Sequence, residues 1–380
     1  LNPWVSERYH REREKLFYYA LQVNKEFVLS STCMRSNLKN LLMMWRGTDG
    51  NETIKFKEND KINAFSSLYQ TISILVPVIS TTFASVGRFL EYVQKPYELG
   101  TLIIDEAGQA QPHLALGAML RCKKVLVVGD PKQVEPVVTD DLDAIKQLLK
   151  NEYTTPYSDK HISVQQFSDK LNPFGTYLND SSGEKLWVGC PLVVHRRCIN
   201  PMFDISNRIS YDGVMIQQTK EPDQNIVDTF AIPISKWLQC SGKEKNHLRK
   251  DHYVPEQGKE TLNIIKLAFE KAKGDKPDLY VISPFTSVVE GLKKEIRESD
   301  FYKLNKENYN EWMESNIGTV HTFQGKEANE VVLLLGCDQD AKGAVTWVNA
   351  NIINVAVTRA KYRLCIIGDY RIWKQNQVLK

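Results

Sequence analysis

The chemistry of this chain centres on Thr101-Leu-Ile-Ile-Asp105-Glu106-Ala-Gly-Gln109, where two adjacent carboxylates end a short apolar run. So apolar a run predicts a strand buried on both faces, as in a parallel sheet covered by helices. Acids at the carboxyl end of such a strand lie where open α/β sheets bind ligands. In a nucleotide hydrolase the first acid holds Mg²⁺, usually through water, and the second activates the attacking water. By itself the pair also fits a strand followed by a solvated helix start. A second run, Lys124-Val-Leu-Val-Val-Gly129-Asp130-Pro131-Lys132-Gln133, stops at an abrupt turn bearing an acid and an amide. Asp105 and Asp130 are 25 residues apart, enough for strand, crossover helix and strand. They are therefore expected on neighbouring strands at one sheet edge, which together make a nucleotide-binding edge.

Other candidates are more ambiguous. Ser80-Thr81-Thr82 follows Val76-Pro-Val-Ile, a predicted strand, and precedes a predicted helix over 83–93. The hydroxyls suit either a helix N-cap or contacts to phosphate. Arg196 and Arg197 follow the apolar Leu192-Val-Val and are either surface ion-pair partners or reach a phosphate held by another domain. The seven cysteines show no Cys-x-x-Cys, so reduced thiols and a cytoplasmic location are expected. Cys190, His195 and Cys198 cluster in sequence, but no fourth ligand has a finger-like spacing, and a structural metal is not expected. His247 and His252 sit in a polar loop and receive no role.

These residues need a frame to hold them. At 380 residues the chain is too long for one typical core, and two domains are expected. Its 42% hydrophobic and 25% charged residues are ordinary for a globular protein. The net charge of +3 permits a polyanion partner without arguing for one. No apolar run approaches the ~18–20 residues of a membrane span, so no membrane is expected. Residues 4–25 and the stripe Leu38, Leu41, Leu42, Trp45 predict helices, and Phe27-Val-Leu-Ser-Ser suits a strand. Pro112–Leu120, Leu262–Ala272, Val288–Ile296 and Asn351–Arg359 read as helices between strands at 279–283, 331–335 and 364–369. Residues 215–258 read as loops around one strand. Alternation of this kind in both halves predicts two doubly wound α/β domains.

The motif order resembles that of superfamily 1 helicases, most closely the 5′-to-3′ branch (superfamily 1B) of the nonsense-mediated-decay helicase and its bacterial relatives. Asp105-Glu-Ala-Gly-Gln109 resembles motif II and Gly129-Asp-Pro-Lys-Gln133-Val-Glu-Pro resembles motif III. His195-Arg-Arg197 through Tyr211-Asp-Gly resembles the Arg-bearing stretch of that branch. Gly318-Thr-Val-His-Thr-Phe-Gln324-Gly325-Lys-Glu327 resembles motif V, and Asn354-Val-Ala-Val-Thr-Arg359-Ala-Lys361 resembles motif VI. The resemblance implies an α/β P-loop NTPase fold of two RecA-like, doubly wound parallel-sheet domains with a cleft between them. Residues 1–182 would form part of the first domain and 183–380 the second. It further implies an ATP-dependent helicase or translocase on single-stranded nucleic acid, DNA favoured over RNA, using ATP and Mg²⁺. Asp105 would hold Mg²⁺, Glu106 would be the base and Gln133 the γ-phosphate sensor. Arg197 and Arg359 would be arginine fingers. Asp130, Arg196, Gln324, Gly325 and Glu327 would contact the nucleotide. Ser80, Thr81, Thr82, Pro284, Thr319 and His321 would lie along the nucleic acid.

Two departures stand out. The Arg-bearing motif has one extra residue before Pro201, which leaves Arg196 or Arg197 as the finger. The aromatic that stacks on adenine is missing, and Arg196 is the substitute at hand. The larger departure is that no Gly-x-x-x-x-Gly-Lys-Ser/Thr occurs anywhere in the chain. The chain lacks an initiator Met, so this Walker A loop is expected in an upstream part of the same polypeptide, or to have been lost naturally. The chain alone is expected to be nearly inactive. A non-catalytic nucleic-acid-binding module and an ATP-gated interaction switch are the alternatives.

Overall fold

A computed structural model of the chain describes residues 6–47, 55–136, 162–179, 183–245, 251–304 and 306–379. They group into two units: residues 1–104 with 112–126, and 105–111 with 127–380. The boundary expected at residue 182 lies outside the described residues.

The first unit is mainly helical. Glu7–Ser30 is a helix capped by Ser6, whose side chain accepts from Tyr9 N at 3.2 Å. It runs through the expected strand at 27–31, because nothing among the described residues pairs with that segment and Ser31 instead caps the next helix, Thr32–Arg46. Glu58–Leu75 follows, and Leu41 packs with Phe65, Leu68, Tyr69, Leu90 and Val93 in its core. The expected strand at 76–82 is a correction as well: the segment is exposed and unpaired. Pro77 offers no backbone donor to a ladder, and the hydroxyls lead into a short helix, Phe83–Phe89, ending before the predicted 93. Strands β1 (Leu99–Ile104) and β2 (Cys122–Val127) pair side by side, joined by the helix Pro112–Arg121. They are not buried on both faces as expected. Ile103 is 60% and Leu126 53% exposed, because the sheet has two strands and no layer over its apolar side chains among the described residues.

The second unit is α/β. Its hairpin β3 (Gly175–Asn179) and β4 (Lys185–Gly189) is antiparallel. β5 (Val194–His195) and β6 (Ile216–Gln217) form a short parallel pair. The main sheet contains β7 (Lys236–Gln239), β8 (Leu279–Ser283), β9 (Ile317–Thr319), β10 (Ala328–Leu334) and β11 (Ala360–Gly368). Its order is β7-β11-β10-β8-β9, and every pair is parallel. Successive side chains of a strand point to opposite faces. On β10, Val331 and Leu333 feed one core with Val355 and Trp373, and Val332 and Leu334 feed another with Leu262 and Leu292. Burial on both faces explains the continuous apolar runs of β8, β10 and β11. This is a doubly wound parallel sheet of the RecA-like kind.

Candidate nucleotide-hydrolysing site

The candidate site lies wholly in the second unit, at the turns after β1 and β2. Glu106 sits at φ 52°, the left-handed region, which directs the chain sharply away from the strand. Its backbone N–H donates to Asp105 Oδ1 at 2.9 Å, and Gln109 Nε2 donates to its Oε2 at 3.1 Å. The two acid-bearing turns touch through backbone. Ala107 N donates to the Val128 carbonyl at 3.0 Å. A Cβ at Gly108 would stand 2.6 Å from the Asp130 carbonyl oxygen, and one at Gly129 2.8 Å from Ala107 N. Glycine is required at both places because backbone cannot step aside.

Asp130 organises the second turn. Its carboxylate accepts from Lys132 N at 2.9 Å, from Gln133 Nε2 at 3.2 Å and from the Tyr211 hydroxyl. Burial, and then the nearby Asp130 charge, raise the Tyr211 pKa well above the ordinary phenol value, so the phenol remains a donor. Tyr211 O accepts in turn from Asn354 Nδ2 at 3.0 Å, and the same nitrogen donates to the Lys132 carbonyl at 2.9 Å. Ser206 Oγ donates to Asn354 Oδ1 at 2.7 Å, so this buried amide is well satisfied.

Asn354 belongs to the helix Ala350–Val357, begun by Asn349, whose side chain accepts from Ile352 N at 3.0 Å. Arg359 follows it and is fully buried. Its Nε donates to Val355 O at 3.0 Å, and its Nη1 to Phe323 O at 3.3 Å and Lys326 O at 2.9 Å. Carbonyls at a helix end and in a turn thus hold a cation where their dipoles favour it. Burial, then the neighbouring Arg197, bring its pKa down to about 10, and Glu106 pulls the other way. Arg359 stays charged at neutral pH.

Arg197 Nε lies 3.3 Å from Glu327 Oε2, and Lys361 Nζ lies 3.6 Å from Glu327 Oε1. Arg196 is exposed and turns to Gln218 Oε1 at 3.4 Å. Gly325, at φ 75°, faces the acids: a Cβ there would stand 3.6 Å from Glu106 Oε1. Among the described residues, Gln133 Oε1 and Gln324 Nε2 are buried without a hydrogen-bond partner. An unsatisfied buried acceptor and donor in the motif-like turns suit a polar ligand that would supply the missing partners. The carboxylates, amides and guanidinium groups together have the chemistry to meet magnesium and phosphate.

Asp105, Glu106, Asp130, Gln133, Arg197, Gln324, Gly325, Glu327 and Arg359 are therefore all carried by one unit. The residues expected along a nucleic acid are divided. Ser80, Thr81 and Thr82 are exposed in the first unit, while Pro284, Thr319 and His321 belong to the second. His321 is exposed, Thr319 half-buried with its Oγ1 3.2 Å from Thr322 Oγ1, and Pro284 is buried. Among the described residues, Cys190, His195 and Cys198 do not gather as a metal-ligating group. His195 Nε2 instead lies 2.9 Å from Cys198 Sγ, and burial pushes that thiol up to about 12. A protonated, buried thiol is no nucleophile. Among the described residues no helix is long and apolar enough to cross a membrane.

Two family models, both described as AAA domain, match residues 188–371 and 45–141. The chain is 24% identical over 287 residues to an uncharacterized ATP-dependent helicase of Methanocaldococcus jannaschii, covering 75% of this chain and 38% of that protein. It is 21% identical to regulator of nonsense transcripts 1 of Dictyostelium discoideum, covering 72% of this chain and 19% of that one. The chain belongs to the superfamily 1 helicases, in the branch of the nonsense-transcript regulators. DNA polymerase alpha-associated DNA helicase A of Saccharomyces cerevisiae is 24% identical over 352 residues, covering 88% of this chain and 48% of that helicase. The chain thus spans less than half the length of these curated relatives. Among solved structures, an Arterivirus nonstructural protein 10 helicase overlaps 74% of this helicase chain and 42% of its own, at a TM-score of 0.36 and 13% identity.

Proposed function

We propose that the chain is the carboxyl-terminal portion of a longer ATP-driven helicase or translocase that moves along single-stranded nucleic acid, and that it carries the hydrolytic half of the ATP site. The observation that carries this reading is the linkage of two acid-bearing turns, through Asp130, Tyr211 and Asn354, to the helix that leads to Arg359. Hydrolysis of a phosphoanhydride requires charge neutralisation where negative charge develops and a base for water. Asp105 would hold Mg²⁺, which neutralises phosphate charge when bound, and the orphaned Gln133 oxygen and Gln324 nitrogen fit a polar ligand there. Glu106 accepts the proton of the attacking water, and Arg197 and Arg359 balance the transferring phosphoryl. The phosphate loop that cradles the β- and γ-phosphates has no counterpart among the 380 residues, so the isolated chain hydrolyses ATP negligibly. Under this reading residues 1–182 and 183–380 belong to two RecA-like lobes, ATP enters the cleft between them, and the protein works in the cytoplasm. DNA is favoured over RNA, and the strand is held mostly by phosphate and sugar, with affinity falling as salt rises.

The test uses the full-length protein. ATPase stimulated by single strands, displacement of a forked duplex, and loss of both in Glu106→Gln are expected. Hydrolysis without strand displacement would favour an ATP-gated switch, and strand binding without hydrolysis a non-catalytic module. Vigorous magnesium-dependent ATPase from the 380-residue chain alone would overturn the assignment of the phosphate loop to an upstream segment.

A further inference from the structure

Glu244, His252 and Cys337 converge in the second unit outside the residues assigned above. One ligand atom from each, a carboxylate oxygen, a ring nitrogen and the sulfur, all lie within 4.8 Å of one another. His252 Nδ1 is 2.9 Å from Glu244 Oε1. Glu244 is 6% and Cys337 1% exposed, so this is an interior cluster and not a solvated acidic face.

The backbone around it is closely built. Cys337 N donates to the His252 carbonyl at 2.8 Å, and Lys245 N to the Tyr253 carbonyl at 2.9 Å. Glu244 N donates to Asp338 Oδ2 at 3.1 Å. His252 and Cys337 both occupy the left-handed region, at φ 53° and 66°, which side chains other than glycine seldom adopt. Between them Gly336, at φ 65°, has room for no Cβ: one would stand 2.4 Å from the His252 carbonyl oxygen. Backbone held in such conformations at two ligand-type residues concentrates where a site is being shaped.

We propose that Glu244, His252 and Cys337 bind one zinc-type divalent cation, with water in the fourth position. Thiolate, imidazole and carboxylate together are the donor set of a borderline-soft, tetrahedral ion. Bonds of about 2.0–2.3 Å hold tetrahedral donors roughly 3.3–3.8 Å apart. Donors already within 4.8 Å need shift by only about an ångström to reach that. His252 exchanges its hydrogen bond to Glu244 for the metal, and Cys337 releases its thiol proton to solvent as the sulfur–metal bond forms. Because the metal displaces that proton, binding strengthens as pH rises. The cation pins the segment before the helix Pro255–Ala272 to the carboxyl end of β10. It also fixes the His252 ring, which packs 4.9 Å from Phe285, beside Pro284.

The chain, stripped of metal with a chelator, is titrated with Co²⁺ and then Zn²⁺. Expected are one equivalent bound per chain, a thiolate-to-cobalt charge-transfer band with tetrahedral d–d absorption, displacement by Zn²⁺, and a higher thermal midpoint. Cys337→Ala removes the charge-transfer band, and Cys198→Ala, at the other buried cysteine beside a histidine, retains it. His252→Ala weakens binding at least tenfold, and serves should Cys337→Ala not fold. No charge-transfer band in the unaltered chain would overturn the proposal, as would a band lost in Cys198→Ala and kept in Cys337→Ala.

Discussion

The Tyr211 hydroxyl donates to the Asp130 carboxylate while its oxygen accepts from Asn354 Nδ2 at 3.0 Å. One phenol thereby joins the turn after β2, the helix Met202–Ser210 and the helix that leads to Arg359. Tyr211→Phe deletes one donor and one acceptor from a buried network. A buried polar group left without its partner costs ~1–3 kcal/mol. We expect the unfolding free energy from urea titration to fall by that amount, and a loss smaller than the sum of the single losses in Tyr211→Phe with Asn354→Ala, because the two share one bond. Strictly additive losses would show that the chain of bonds is not energetically continuous.

Gly108 and Gly129 meet backbone where any side chain would begin. Gly108→Ala places a methyl 2.6 Å from the Asp130 carbonyl oxygen, and the only relief is to separate the two acid-bearing turns. Overpacking of this kind costs ~1–3 kcal/mol. Gly87, in the short helix Phe83–Phe89, has nothing within 4 Å of a new Cβ, and Gly87→Ala should gain the helix propensity of alanine, up to ~1 kcal/mol. Chemical denaturation of the two variants should shift in opposite directions; equal shifts would refute the packing argument.

Glu330 on β10 is 4% exposed and accepts from Ala231 N at 3.0 Å and Ile232 N at 2.6 Å. Burial outweighs those bonds and pushes its carboxyl up to about 7, from an ordinary 4.5. The folded chain therefore holds this proton more tightly than the unfolded one. The stabilisation it brings is complete below pH 4.5 and is lost as pH rises through about 7. Over that interval the change is roughly 3 kcal/mol. Stability measured from pH 5 to 7 should fall more steeply in the native chain than in Glu330→Gln, by about one proton. Parallel pH profiles would place the titration elsewhere.

How much of this was legible in the sequence follows from what each residue's neighbours are. β8, β10 and β11 announce themselves as continuous apolar runs because helices cover both faces of their sheet. The adjacency of β1 and β2 follows from a spacing that leaves room for one crossover helix. Val76-Pro-Val-Ile has the same local character as those strands yet remains unpaired, since pairing is supplied by the rest of the fold and Pro77 withholds a donor. His252 looked like an idle loop residue, because Cys337, which gives it a setting, lies 85 residues away in the chain. The choice between Arg196 and Arg197 was open for a similar reason. Both arginines lie just past β5, and only contacts with distant parts of the chain show that Arg196 turns to Gln218 and Arg197 to Glu327.

The different partners of the two arginines set up the sharpest test of the site. Arg197 lies against Glu327 and is electrostatically coupled to Arg359, and Arg196 has neither relation. If Arg197 balances the transferring phosphoryl, Arg197→Ala in the longer protein proposed above should lower the ATPase kcat by about 10³–10⁵. Arg196→Ala should leave kcat within about threefold, its charge being outside the reacting centre. The fold should survive Arg197→Ala, because the pair with Glu327 is partly exposed, is worth at most ~1 kcal/mol, and leaves Lys361 3.6 Å from the carboxylate. Arg197→Lys keeps the charge without the planar fork and should recover only a fraction of the rate. Turnover and melting temperature measured on the same preparations separate the two roles. Normal turnover in Arg197→Ala, or an equal collapse in Arg196→Ala, would remove Arg197 from the reaction.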